Sequence, residues 1–162
     1  MGARAWVYTL EREQLLPLPP GETFEFFGDA HNLEAITPPW LHFRVVTPTP
    51  IAMDAGTLLE YRLRLHGLPI RWLTRIEAWE PGRRFVDVQL RGPYRLWHHT
   101  HTFTPHGDGT LMRDRVRYAL PLGPVGWAAR TALVRRDLDR IFDFRREEVA
   151  ARFGAGSGRR AA

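Results

Sequence analysis

Residues 59–66 read Leu-Glu-Tyr-Arg-Leu-Arg-Leu-His. Leu59, Tyr61, Leu63 and Leu65 alternate with Glu60, Arg62, Arg64 and His66. A period of two over this length means a β-strand with one face in the core and one in water. The period recurs downstream. Trp72, Thr74, Ile76 and Ala78 alternate with Arg71, Leu73, Arg75 and Glu77. Residues 85–90 and 94–104 follow, and over 110–120 Leu111, Arg113, Arg115 and Arg117 stand opposite Met112, Asp114, Val116 and Tyr118. Turn formers separate these runs: Gly67, Pro81-Gly82, Gly92-Pro93 and His106-Gly107-Asp108-Gly109, the last a strong hairpin signal. With the short β-branched stretch 43–47, this makes about six consecutive antiparallel strands.

Upstream, residues 5–16 form an incomplete period-two pattern, with Val7, Thr9, Glu11 and Glu13 opposite Trp6, Tyr8, Leu10 and Arg12. Pro17, Pro19, Pro20 and Gly21 stop this first strand. Proline suits the first helical position, so a short helix begins near Pro20 and carries Phe24 and Phe27. Asp29 caps a second short helix over about 30–36, which Thr37-Pro38-Pro39 ends. Downstream, residues 121–126 read as a loop. The period then changes: Trp127, Val134, Leu138, Ile141, Phe142, Val149 and Phe153 fall at helical spacing, with Arg135, Arg136, Asp139, Arg140, Arg146 and Glu147 between them. One amphipathic helix of about 25–28 residues results. The expected architecture is α+β: a curved antiparallel sheet wrapped around a long C-terminal helix, with two short helices after the first strand. Residues 4–153 form one domain, and the small, polar 154–162 form a disordered tail. A sheet curving around a helix leaves space between them, where a ligand sits.

The chain has 162 residues, the size of one domain. It has no cysteine, which excludes disulfides, thiolate metal sites and a cysteine nucleophile. No leader pattern opens it, and no apolar run approaches the roughly 18 residues a membrane helix requires. A soluble, cytoplasmic protein without stable membrane insertion is expected. The formal charge is +5, and all 23 basic residues are arginine. They are interleaved with acids, as in Arg135-Arg136-Asp137 and Arg145-Arg146-Glu147-Glu148, the pattern of a solvated helix face. Nucleic acid is therefore not an expected partner.

Residues 92–103 read Gly-Pro-Tyr-Arg-Leu-Trp-His-His-Thr-His-Thr-Phe. On a strand, Trp97, His99, His101 and Phe103 share one face, and Tyr94, Leu96, His98, Thr100 and Thr102 share the other. Two imidazoles between two large aromatics suggest a pocket wall. Three roles fit. His99 and His101, about 6.6 Å apart along the strand, can chelate a metal if a third protein ligand joins them. His66, Asp87 or Glu60 supplies one only if its strand is favourably placed. The strand carboxylates read mostly on the face opposite the apolar residues, so no metal site is expected. Alternatively, His99 or His101 does acid–base work with Tyr61, although no orienting carboxylate is visible. The third role is cavity lining, with the imidazole N–H satisfied by Thr74 or a water.

Three stretches carry a resemblance to a known family. They are Asp29-Ala-His-Asn-Leu-Glu-Ala-Ile-Thr-Pro-Pro-Trp-Leu, Trp79-Glu-Pro-Gly-Arg-Arg-Phe, and the Gly-Pro-aromatic strand from Gly92. With the element order, they resemble the helix-grip fold of the START and SRPBCC superfamily. That superfamily includes birch-pollen-type allergens, lipid-transfer START domains, coenzyme-Q-binding proteins and polyketide cyclase/aromatases. The bacterial "cyclase/dehydrase" or SRPBCC ligand-binding type is most similar. The resemblance covers residues 4–153. It implies a hydrophobic small-molecule ligand (a lipid, quinone or polyketide-like compound) in a cavity between the sheet and the C-terminal helix. The alternative it implies is a polyketide cyclase/dehydratase using cavity histidines as acid and base. No catalytic residue carries over, because the superfamily shares none. The residues expected at the ligand are Trp40, Tyr61, Leu63, Trp72, Thr74, Trp97, His99, His101, Phe103 and Phe142. No cofactor is expected, and the protein is expected to be a monomer or homodimer.

Overall fold

The computed structural model describes residues 6–121 and 127–154. The order is β1 (Tyr8–Leu16), α1 (Pro20–Gly28), α2 (Ala30–Ala35), a 3-10 turn (Pro39–Leu41), β2 (Arg44–Val45), β3 (Leu58–Leu65), β4 (Leu68–Glu80), β5 (Arg84–Arg91), β6 (Leu96–His106), β7 (Gly109–Ala119) and α3 (Trp127–Phe153). The strands form one seven-stranded sheet in the order β1-β7-β6-β5-β4-β3-β2. All neighbours are antiparallel. The β2–β7 meander is thus extended at its far edge by β1, the first strand of the chain. The two short helices sit between β1 and the meander.

Local chemistry sets the turns. His66 (φ 49°) and Gly67 (φ 79°) join β3 to β4, both left-handed as a two-residue hairpin turn requires. Pro20 opens α1, and Asp29 ends it while capping α2, its carboxylate accepting the His31 N–H at 2.9 Å. The convex face of the sheet is charged. Glu11 lies opposite Arg115 and Glu13 opposite Arg113, and both pairs are ion-paired, as is Arg71 with Glu60 at 2.6 Å. Such exposed pairs each contribute only about 0–1 kcal/mol. They account for many of the arginines as strand residues facing water.

The concave face is apolar. α1 plugs one end: buried Phe24 meets Trp79, Phe85 and Phe103 edge-on, with centroids 4.8, 5.7 and 5.6 Å away. α3 covers the face with Leu138, Phe142 and Val149. This is the curved sheet, long terminal helix and paired short helices that the periodicity implies. Among the described residues no helix is long and apolar enough to cross a membrane.

Two expectations need correction. Tyr94 does not share the outer face with His98. β6 begins only at Leu96, and the bend at 92–95 turns Tyr94 inward. Its ring lies 4.8 Å from Trp97 and 5.6 Å from Trp72. Arg145 is not on the solvated face of α3. It falls between Phe142 and Val149 on the helix's inner stripe, as spacings of three and four dictate, and reaches the interior. The expected loop over 121–126 and disordered tail over 154–162 fall, apart from residues 121 and 154, outside the described residues, as does the side chain of Trp127.

Candidate functional site

The three core clusters leave a cavity of about 170 Å³ between the concave face, the short helices and α3. A buried apolar cavity of about 150 Å³ already admits a benzene-sized ring. The wall is largely apolar, with Leu59, Trp72, Ile76, Phe85, Trp97 and Ile141 among its members. Polar side chains interrupt it, among them Tyr61, Thr74, Asp87, Tyr94, His101 and Arg145. Of the residues expected at the ligand, Tyr61, Leu63, Trp72, Thr74, Trp97, His101 and Phe142 line this cavity.

Three do not. Phe103 is buried one pair further along β6, in the core with Phe24. His99 is buried behind the wall, its ring 3.7 Å from that of His101. Trp40 is 46% exposed. The 3-10 turn directs Leu41 inward and leaves Trp40 outside, where Arg140 covers it at 5.0 Å and Phe144 meets it edge-on.

Strand register brings two carboxylates to the histidines. Asp87 on β5 lies directly opposite His99, and Asp114 on β7 directly opposite His101. Asp114 Oδ1 is 3.0 Å from His99 Nε2 and 2.9 Å from His101 Nδ1. The first contact is a well-directed hydrogen bond. The second is off-direction, so His101 Nδ1 is buried without a good partner. Asp87 Oδ2 is 3.0 Å from His101 Nε2 and 3.5 Å from His99 Nδ1. The Phe85 ring stacks on His101 at 4.0 Å.

Electrostatics separates the two rings. Burial opposes charge on both. At His101 the contacts to Asp114 and Asp87 outweigh burial and raise the pKa. At His99 burial, joined by the neighbouring His101, prevails and lowers it. Burial pushes both carboxyls up, but the histidines hold Asp87 and Asp114 below the usual range. Arg145 adds a cation. Burial lowers its pKa, with Asp114, Asp87 and Tyr61 opposing, yet a guanidinium remains charged. Its Nε is buried without a partner, and the group sits 5.0 Å from the Phe142 ring. Two imidazoles and one guanidinium thus share one buried cluster with two carboxylates.

These contacts correct one expectation and place one candidate ligand. The imidazoles do have orienting carboxylates, Asp114 at His99 Nε2 and Asp87 at His101 Nε2, while Thr74 faces the cavity. A third metal-ligating group also stands beside the histidines: Asp87 joins His99 and His101, with all three donor atoms within 4.8 Å of one another. His66 instead pairs with Asp137 at 2.7 Å, and Glu60 with Arg71. Asp87 is one of the three candidate third ligands; Asp114 and Arg145 are missed, and all three left a signal. Asp114 shares a face with Met112 and Val116, Asp87 sits two residues after Phe85, and Arg145 three after Phe142. Each is a charge on an apolar stripe.

Residues 8–154 match the protein family described as polyketide cyclase / dehydrase and lipid transport. Solved structures share the architecture. The Zhui aromatase/cyclase from Streptomyces sp. R1128 superposes with a TM-score of 0.71 at 14% identity, over 91% of this chain and 93% of that one. The protein TTHA0849 from Thermus thermophilus gives 0.64 at 22% identity, over 90% and 99%. Ara h 8.0201 gives 0.62 at 17% identity, over 90% and 99%. At these identities the likeness is one of fold. No curated protein matches the chain.

Proposed function

This chain belongs to the polyketide cyclase/dehydrase and lipid transport family of the SRPBCC superfamily, and from that premise we propose that it binds a hydrophobic small molecule between the sheet and α3. The class is a lipid, a quinone or a polyketide-like compound. One observation carries this reading: an apolar cavity with its polar groups gathered on the wall as Tyr61, Asp87, His101 and Arg145. The apolar body of the ligand packs on Trp72 and Trp97, and a carbonyl or hydroxyl meets the polar groups. Burying about 300 Å² of ligand at about 25 cal/mol per Å² gives about 7.5 kcal/mol gross. Association costs absorb part of this, so micromolar affinity is expected. Native mass spectrometry of the purified protein, with titration by a lipophilic fluorophore, tests the reading. No retained ligand and no saturable fluorescence change would rule it out.

A second reading, a polyketide cyclase or dehydratase, draws on a different observation. His101 stands on the cavity wall between two carboxylates, where it is oriented to exchange a proton with a ligand, and the Tyr61 hydroxyl is available as a donor to a developing oxyanion. Turnover of a poly-β-ketone thioester mimic by the wild type and by His101→Ala tests it. A loss of 10²-fold or more is expected, with probe binding retained. Equal turnover removes His101 from the chemistry.

A further inference from the structure

We propose that Asp87, His99 and His101 form a binding site for a first-row divalent metal ion, with zinc as the reference ion. The donor atoms are Asp87 Oδ2, His99 Nδ1 and His101 Nε2. The carboxylate oxygen lies 3.5 Å from the first nitrogen and 3.0 Å from the second. Ligand atoms around a tetrahedral zinc with bonds of about 2.0–2.1 Å stand roughly 3.3 Å apart. The two oxygen–nitrogen spacings straddle that value, and all three donor atoms lie within 4.8 Å of one another.

The remaining ring nitrogens strengthen the inference. His99 Nε2 and His101 Nδ1 both turn to one buried oxygen, Asp114 Oδ1, at 3.0 and 2.9 Å. When Asp114 takes an N–H from each ring, the lone pairs of both rings are left facing Asp87. This is the carboxylate–histidine–metal arrangement, in which an outer carboxylate fixes the tautomer and raises the donor's basicity. Small ring rotations that aim His101 Nε2 at an ion are also able to bring His101 Nδ1, which lacks a well-directed partner, into line with Asp114. Three electron-rich atoms this close require a positive occupant, either a proton on an imidazole or a metal ion, and the two compete.

The setting suits an ion. His99 and His101 project from one strand in the interior of the sheet, and Asp87 from its neighbour, so the donors are held rigidly. Asp87 and His101 line the cavity, which gives the ion an entry path and leaves a coordination position facing the ligand space. Two nitrogens and one oxygen suit zinc, cobalt or iron(II) more than magnesium or calcium. Arg145 sets the charge. A divalent ion neutralises Asp87 and Asp114, and the guanidinium then leaves one positive charge over. The fourth ligand is therefore anionic, a hydroxide or an acidic oxygen of the bound molecule.

The test needs no organic ligand. Full-length protein, stripped with chelator and dialysed, is titrated with zinc chloride alone by calorimetry and with cobalt(II) chloride alone by visible absorption. Expected are one equivalent bound at micromolar or tighter Kd and the ligand-field bands of four- or five-coordinate cobalt. Asp87→Ala and His99→Ala should each weaken binding at least tenfold. Asp114→Asn should weaken it 10- to 100-fold, and Arg145→Met should tighten it. His66→Ala, at the surface pair with Asp137, should change nothing. Circular dichroism checks that each variant folds. If they do not, X-ray absorption on the zinc-loaded wild type must show two imidazole ligands. Absence of cobalt bands, a Kd unchanged by Asp87→Ala, or a zinc shell lacking two imidazoles overturns the proposal. Titration of the metal-free protein with the lipophilic fluorophore reads the cavity separately, so the two readings fail independently.

Discussion

Asp114 shows how one residue ties the interior together. It is 7% exposed and holds two imidazoles through a single oxygen. Removing one member of a buried charged network leaves its partners uncompensated, at a cost of about 3–5 kcal/mol. Asp114→Ala is expected to lose that much in urea unfolding, and a loss below about 1 kcal/mol would show that the histidines do not depend on it. Tyr61 gives a second prediction. Burial, then the nearby Asp87, holds its hydroxyl well above the ordinary phenol range, with Arg145 opposing. A raised folded pKa contributes stability that is present below the unfolded value of about 10 and lost as pH rises through the folded one. In an alkaline titration followed by phenolate absorbance, Tyr61 should therefore ionise only as the protein unfolds. Reversible titration of all four tyrosines near pH ~10 contradicts this. The side of the strand that Asp114 occupies is legible in the alternation of Met112, Asp114 and Val116. Its partners are not, because alternation fixes a face but not which residue of the next strand lies opposite.

Among the elements, the β6–β7 hairpin and its seam with β1 make the sharpest case. A Cβ on Gly109 would stand 2.1 Å from the Leu16 carbonyl oxygen, a backbone atom of paired β1. Gly107, two residues earlier, has φ +57° and nothing within 4 Å of an added Cβ. Gly107→Ala thus carries only a conformational cost of about 1 kcal/mol. Gly109→Ala must displace a strand and should cost about 2 kcal/mol or more. Urea midpoints check the order, and equal losses would mean that the seam yields easily. α3 teaches a related lesson. Its length and inner stripe of Leu138, Phe142 and Val149 follow from periodicity. Arg145 shares that stripe, yet its residue type and its neighbours Arg146, Glu147 and Glu148 assign it to water. Burial of an arginine depends on what waits inside, here two carboxylates contributed by β5 and β7.

At the scale of the molecule, the cavity results from an incomplete fit between a curved sheet and one helix. Leu63 lines it from β3 and is only half-buried. Leu63→Trp should fill it, weakening fluorophore binding tenfold or more while leaving the thermal midpoint within a few degrees. Unchanged affinity would place the probe elsewhere. The sequence by itself determined the α+β class, the meander, the hairpin turns, the long amphipathic helix and the aromatic inner face. All of these follow from period, from φ-restricted residues at turns, and from the need to cover one apolar face. It also identified His99 and His101 as a pair on that face. Only the tertiary structure decided that Asp87 and Asp114 flank them, that Arg145 points inward, that His99 lies behind the wall and that Trp40 lies outside it. The reason is physical. Local sequence sets which way each side chain leaves its own backbone, whereas the distance between charges on different strands depends on register and curvature, and these are set by the packing of the whole sheet against α1 and α3.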